Sequence, residues 1–188
     1  MKLLRPSYIV VGTLALSAMS VTVFAHAKLA RTGSVSVKFH ADTNVPLLSV
    51  DGTSNQLTVG DDGTSLTVSV PLGTLSTGIG LRDTHMKNAL EADKFPNAEL
   101  TVARSAINFP AQGASASGTA QGTMKLHGQS KPISFGYTVK RDGGGYHVTT
   151  GSMTVNMNDF GIFVKKGSII PATVKPNVGV QVSFDANE

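Results

Sequence analysis

The polar residues best able to hold or act on a ligand stand together at Arg82, Asp83 and His85. An arginine offers a planar fork of donors that matches a phosphate, and either Arg82 or His85 can hold an anionic or carbonyl oxygen. The same residues also have a structural use. Asp83 can pair with Arg82, or cap a helix by accepting from its free N–H groups. The residue types alone leave both uses open.

Other chemistries find less support. His40, His127 and His147 are isolated, with no H-x-x-x-H or H-E-x-x-H spacing to gather a metal. The run Gly128-Gln129-Ser130-Lys131-Pro132 lacks the final glycine of a nucleophile elbow and reads as a hairpin. Gly143-Gly144-Gly145 is followed by no helix pattern, so it is not a phosphate cradle. The absence of cysteine removes thiolates, disulfides and cysteine-ligated metals. No catalytic residue, metal ligand or cofactor is therefore assigned.

The chain has 188 residues and a formal charge of +4, enough for one domain and a short extra segment. Two of the positive charges, Lys2 and Arg5, open the chain, and no later basic run exceeds Lys165-Lys166. A nucleic-acid footprint needs a basic stripe with interleaved aromatics, so that class of partner is excluded. Lys2 and Arg5 precede an uncharged apolar stretch from Tyr8 to Phe24 that ends at Ala25-His26-Ala27. This order predicts a secretory signal over 1–27, cleavage near Lys28, and a folded domain over 28–188 exported to the periplasm. The 17 apolar residues are at the short end of what crosses a bilayer, which disfavours an uncleaved anchor.

From Ser34 onward the chain alternates apolar and polar residues. Val35, Val37 and Phe39 do so, as do Leu66, Val68 and Val70, and Ile133, Phe135, Tyr137 and Val139. Met153, Val155 and Met157, and then Val178 to Phe184, continue the pattern. Alternate side chains of a strand point to opposite faces, so each run has one apolar face. Asp51-Gly52, Asp61-Asp62-Gly63, His127-Gly128 and Asp142-Gly143-Gly144-Gly145 read as turns. The Ala/Ser/Gly-rich stretch Ala111–Thr119 reads as a hairpin loop, and Leu81–Leu90 as a short helix. Many short strands joined in this way predict an antiparallel sandwich or barrel.

Period 2 does not say which face is inside, and an outer-membrane barrel alternates in the same way. No Trp and three Tyr are too few for two aromatic girdles, and the strands are short for spanning. Phe39, Leu66, Val68, Phe135, Tyr137, Val155 and Phe184 therefore face inward, either as core or as the lining of a cavity. The many small inward valines leave more lumen for a ligand.

Three stretches carry a family resemblance. Thr77-Gly78 with Arg82-Asp83-Thr84-His85-Met86, followed by Lys94-Phe95-Pro96, matches a TG…RDxH(L/M)…K(Y/F)P element. Gly122 to Pro132, with His127-Gly128 at its centre, matches a G-x-L-x-(I/L)-H-G-x-(T/S)-K-P hairpin. Asn158-Asp159-Phe160-Gly161-Ile162 matches (S/N)-D-F-G-I. In this order, over about Ser34 to Ala186, the chain resembles the YceI-like polyisoprenoid-binding family.

The resemblance implies an all-β, eight-stranded antiparallel, lipocalin-like barrel with a short helix. It further implies an apolar lumen holding an isoprenoid lipid, such as a prenyl quinone or polyprenyl phosphate, with transient membrane contact. The expected ligand contacts are Phe39, Leu66, Val68, Arg82, Asp83, His85, Phe135, Tyr137, Val155 and Phe184. A carrier without catalysis is expected, and the alternative is an enzyme acting on an amphipathic substrate in the same barrel. The family's aromatic-and-glycine pattern after the first strand is replaced here by Val45-Pro46-Leu47-Leu48-Ser49-Val50-Asp51-Gly52. Pro46 cannot donate to a ladder and should interrupt a second strand there.

Overall fold

The computed structural model describes residues 28–163 and 172–188; the expected signal segment lies outside the described residues. The alternating runs become ten antiparallel strands. These are β1 (Ala30–Thr43), β2 (Ser49–Ser54), β3 (Thr58–Asp61), β4 (Ser65–Pro71), β5 (Asn97–Ala103) and β6 (Ser115–Leu126). They continue as β7 (Gln129–Asp142), β8 (Gly145–Thr150), β9 (Met153–Asn156) and β10 (Val174–Asn187). One helix, α1 (Gly80–Ala89), lies between β4 and β5, at the place where alternation fails in the sequence.

Ten strands reduce to the expected eight because two of them are interrupted. β8 and β9 follow one another along β10, broken only at Gly151-Ser152. β2 and β3 are likewise successive, but β2 pairs with β1 and β3 with β4. The sheet order is therefore β2-β1-β10-β8-β7-β6-β5-β4-β3, with its two ends consecutive in the chain. The ladder does not close by hydrogen bonds, and the backbone of the broken β2–β3 strand carries the wall across the seam. Two contacts tie that seam. The Leu29 N–H donates to the Asp61 carboxylate at 2.8 Å, and Thr53 exchanges backbone bonds with Ser76 at 2.8 and 2.9 Å.

The apolar faces are turned inward: Val37, Ala41, Leu66, Leu100, Phe135, Val139 and Val182 are buried. Lys38, His40, Asp42 and Lys140 on the opposite faces are exposed. A lipid-facing barrel would show the reverse.

Three local expectations are corrected. Asp51-Gly52 is not a turn but lies inside β2, with Gly52 paired to Phe39. A Cβ there would stand 2.2 Å from the Phe39 ring, so the glycine makes room for an aromatic across the strand. Ala111–Thr119 is not all loop, because β6 begins at Ser115 and pairs with Lys140. Pro46 does not break a strand. It sits in the turn before β2, which the Leu48 N–H closes on the Val45 carbonyl at 3.2 Å.

Candidate ligand-binding site

The barrel is solid at one end and hollow at the other. At the solid end Leu66, Val102, Ala120, Phe135, Tyr137, Val139 and Tyr146 pack together, all buried. β6 presents glycines to the two β7 aromatics: the Cβ position of Gly118 is 3.1 Å from the Tyr137 ring, and that of Gly122 is 3.5 Å from the Phe135 ring. The rings fold over these gaps and fill the lumen. The Tyr137 hydroxyl accepts the Asn108 N–H at 2.9 Å, which satisfies the oxygen inside the core.

Beneath this floor Arg104 joins three elements. Its guanidinium bonds the Asp61 carboxylate and, at 2.7 Å, Glu188 Oε1; Tyr146 donates to Glu188 Oε2 at 3.1 Å. Arg104 and Asp61 are almost wholly buried. A cation removed from water needs such partners, and here they also hold the chain's last residue against β3.

Above the floor lies a cavity of about 920 Å³. Its walls are Val37, Phe39 and Ala41 of β1, Val68 and Val70 of β4, and Val178, Val180, Val182 and Phe184 of β10. Leu100, Met124, Leu126, Met153, Val155 and Ile162 complete them, and α1 covers part of the mouth with Met86, Ala89 and Leu90. Arg82 and His85 also line it from α1, with Thr43 and Ser49 across the mouth. Among the described residues Arg82 is the one permanently charged residue of the lining, and the Asp51 carboxylate feels its charge from outside the cavity.

Asp83 is held elsewhere. Its carboxylate accepts the Thr77 N–H at 2.7 Å, the Thr77 hydroxyl at 2.6 Å and the Ser76 hydroxyl at 2.7 Å. These donors, Thr77 and Ser76 first, bring its pKa down to about 2. The carboxylate thus fastens the segment entering α1, with no cap on the helix N–H groups beyond it.

Of the expected contacts, Phe39, Val68, Arg82, His85, Val155 and Phe184 are brought together around the cavity. Leu66, Phe135 and Tyr137 are not among its walls, because they build the floor, and Asp83 is spent on Thr77 and Ser76. The sequence reading missed the methionines. Of six, Met1 and Met19 precede residue 28, and the other four, Met86, Met124, Met153 and Met157, all line the cavity. Unbranched, polarisable thioethers suit a wall that must adapt to a flexible guest, and their restriction to this lumen was readable as a compositional signal.

A lipocalin-like barrel with a largely apolar lumen has room inside for one small ligand. The model of the YceI-like domain matches residues 13–186, and the chain belongs to this family. Solved structures agree in fold. A polyisoprenoid-binding domain from Saccharophagus degradans, implicated in plant cell wall breakdown, superposes with a TM-score of 0.72 at 16% identity. That match covers 86% of this chain and 99% of the other. BcnA of Burkholderia cenocepacia gives 0.62 at 13% identity, over 80% of this chain and 96% of that one. A mutant Campylobacter jejuni YceI protein with a monobromobimane guest gives 0.53 at 15%, over 95% and 99%. No curated protein sequence matches the chain.

Other residues of the family motifs, outside the cavity lining, meet one another. His127 and Gly128, at φ +51° and +74°, form the turn between β6 and β7. His127 Nδ1 donates to the Phe160 carbonyl at 3.0 Å, and its ring meets the Phe95 ring edge-on at 4.7 Å. A Cβ on Gly128 would stand 2.8 Å from Phe95. The H-G, K-F-P and D-F-G elements thus clamp three loops beside the mouth.

Proposed function

We propose that the protein is a periplasmic carrier that takes an isoprenoid-type lipid, a prenyl quinone or a polyprenyl phosphate, tail-first into the lumen and leaves it unchanged. The observation that carries this reading is the cavity of about 920 Å³, largely apolar, with Arg82 and His85 on α1 among its lining. A hydrocarbon tail fills the lumen, and a phosphate or carbonyl head stays at the mouth within reach of the Arg82 fork. The likeness to a polyisoprenoid-binding domain supports the ligand class.

The energetics suit exchange. Burial is worth about 0.8 kcal/mol per CH₂, so each five-carbon unit gains about 3–4 kcal/mol on leaving water. The ligand's resting place is a bilayer, which is equally apolar, so transfer into the barrel is close to neutral. Selectivity then rests on lumen shape and the polar groups at the mouth, and brief membrane contact is the route of exchange. Among the described residues the lining holds no carboxylate to pair with His85 as acid and base, which favours carriage over catalysis.

The test is organic extraction of the exported protein followed by mass spectrometry. A stoichiometric, unmodified isoprenoid supports the carrier, and protein that comes out empty from an isoprenoid-containing host refutes it. N-terminal sequencing of the same sample should begin near Lys28.

A further inference from the structure

Among the described residues, the large apolar side chains that stand exposed are Val45, Leu47, Leu48, Ile79, Leu81 and Phe163. Each is a lining residue of the cavity or a near neighbour of one in the chain. Leu48, Ile79 and Leu81 line the cavity, Val45 and Leu47 belong to the turn before Leu48, and Phe163 follows the lining residue Ile162. The β1–β2 turn is tied to the segment before β10, because Asn44 and Thr173 exchange hydrogen bonds at 2.9 and 2.6 Å. The exposed apolar surface is therefore continuous with the mouth.

Leu47 is the sharpest case. It occupies the third position of a turn led by Pro46, at φ +64°, and is fully exposed. That position favours glycine or asparagine, and a leucine is held there against steric cost. No packing inside the protein repays the strain, since the side chain has none.

The charges of this face point the same way. Arg82 lies at the rim, Lys87 on the same helix, and exposed Lys175 beside the lining residue Val174. Of the nearby carboxylates, Asp83 accepts from Thr77 and Ser76 and also faces Lys87, and Asp51 accepts from His40 at 2.6 Å and also faces Arg82, which leaves Lys175 as the cation with no such neighbour among the described residues. Exposed apolar side chains with Arg82, Lys87 and Lys175 near them match the boundary between acyl chains and anionic headgroups.

We propose that the rim formed by Val45, Leu47, Leu81 and Phe163 docks on the surface of an anionic bilayer, with the mouth facing the lipid. This rests on the carrier reading for its purpose but not for its test. Val45, Leu47 and Phe163 do not line the cavity, so they can be changed without touching its walls.

The experiment is flotation of the exported protein with phosphatidylethanolamine–phosphatidylglycerol vesicles, against Leu47→Asn and the double variant Leu47→Asn/Phe163→Ser in the same form. The parent should float, and less so with pure phosphatidylcholine. The double variant should lose about tenfold in partitioning through its forfeited apolar burial. Leu47→Asn should melt at or above the parent temperature, because asparagine accepts the left-handed backbone. A parent that does not float, or variants that float equally well, would overturn the proposal. So would a dimer that these substitutions dissociate in place of any vesicle binding, since the rim would then be an interface between copies. Extraction and mass spectrometry separate the two readings. Variants with full ligand but lost flotation support the rim, and a parent that floats but is always empty supports the rim while sinking the carrier.

Discussion

The Asp83 carboxylate takes both the N–H and the hydroxyl of Thr77, at 2.7 and 2.6 Å. This pair of hydrogen bonds from one residue fixes the start of α1, and the helix then delivers Arg82 and His85 to the cavity. Replacing Asp83 with Ala should therefore free the segment Ser76–Ile79, including the lining residue Ile79, while substituting no wall residue. Hydrogen exchange should show faster exchange at the Thr77 amide, and the melting temperature should fall. Unchanged protection at Thr77 would show that the turn holds without the carboxylate.

Acid should weaken the fold through the same kind of group. Asp185 is held at about 2 by His147, whose ring lies 2.6 Å away, and by the Ser34 hydroxyl and N–H at 2.7 and 2.9 Å. Asp83 is held at about 2 by Thr77 and Ser76. Both carboxylates lie below their ordinary 3.8 in the folded state, so the unfolded chain binds protons first as pH falls. Their contribution is complete above pH 3.8 and is lost between there and about 2. Chemical denaturation at successive pH values should show a steeper loss across this window than in the Asp185→Asn variant.

His40 titrates in the opposite sense. Asp51 at 2.6 Å, with Asp42 at 3.3 Å, raises it above its ordinary 6.5. The stability this imidazolium contributes is present below 6.5 and fades as pH rises through the raised value. NMR should place the His40 midpoint above 6.5 and return it toward that value in Asp51→Asn. Equal midpoints in the two proteins would mean that the pair does not form in solution.

Much of the barrel was legible because alternation is a local code. The inward sets Val35/Val37/Phe39 and Phe135/Tyr137/Val139 follow directly from period 2. What alternation does not carry is height along the axis. Phe39 and Tyr137 share an inward face, yet Phe39 lines the hollow and Tyr137 fills the floor. Each ring faces a glycine across the strand, Gly52 for Phe39 and Gly118 for Tyr137, so what separates them is the level at which their strands meet, and cross-strand register is a long-range property. Asp51-Gly52 misled for a related reason, since its glycine answers Phe39 and serves no turn. The RDxH stretch split in use: Asp83 took a structural role other than the helix cap or Arg82 pair that its residue type suggested, accepting from Thr77 and Ser76, while Arg82 and His85 reached the lumen.

The Arg104 cluster should carry stability and not selectivity. Arg104 is nearly buried and answers two carboxylates, Asp61 and Glu188. Removing one member of a buried pair leaves the other charge uncompensated, at a cost of about 3–5 kcal/mol. Arg104→Ala should lower the unfolding free energy by an amount of that order in urea titration. The identity of the co-extracted lipid should not change, because the cluster lies below the floor.

The division into floor and lumen makes opposite predictions for two substitutions. Phe135 is buried among Gly122, Leu100 and their neighbours, and Phe135→Ala opens a hole that the rigid wall cannot close. Such truncations cost about 3–5 kcal/mol. Ligand occupancy per folded molecule should nevertheless be retained, since the ring is not part of the cavity wall. Val180→Phe does the reverse. Val180 lines the hollow, so a larger ring projects into open space and avoids the 1–3 kcal/mol or so that overpacking a filled core costs. It should leave the melting temperature nearly unchanged while lowering lipid recovered on extraction. If Phe135→Ala instead empties the protein at normal stability, the floor is part of the binding site and the lumen runs deeper than its walls indicate.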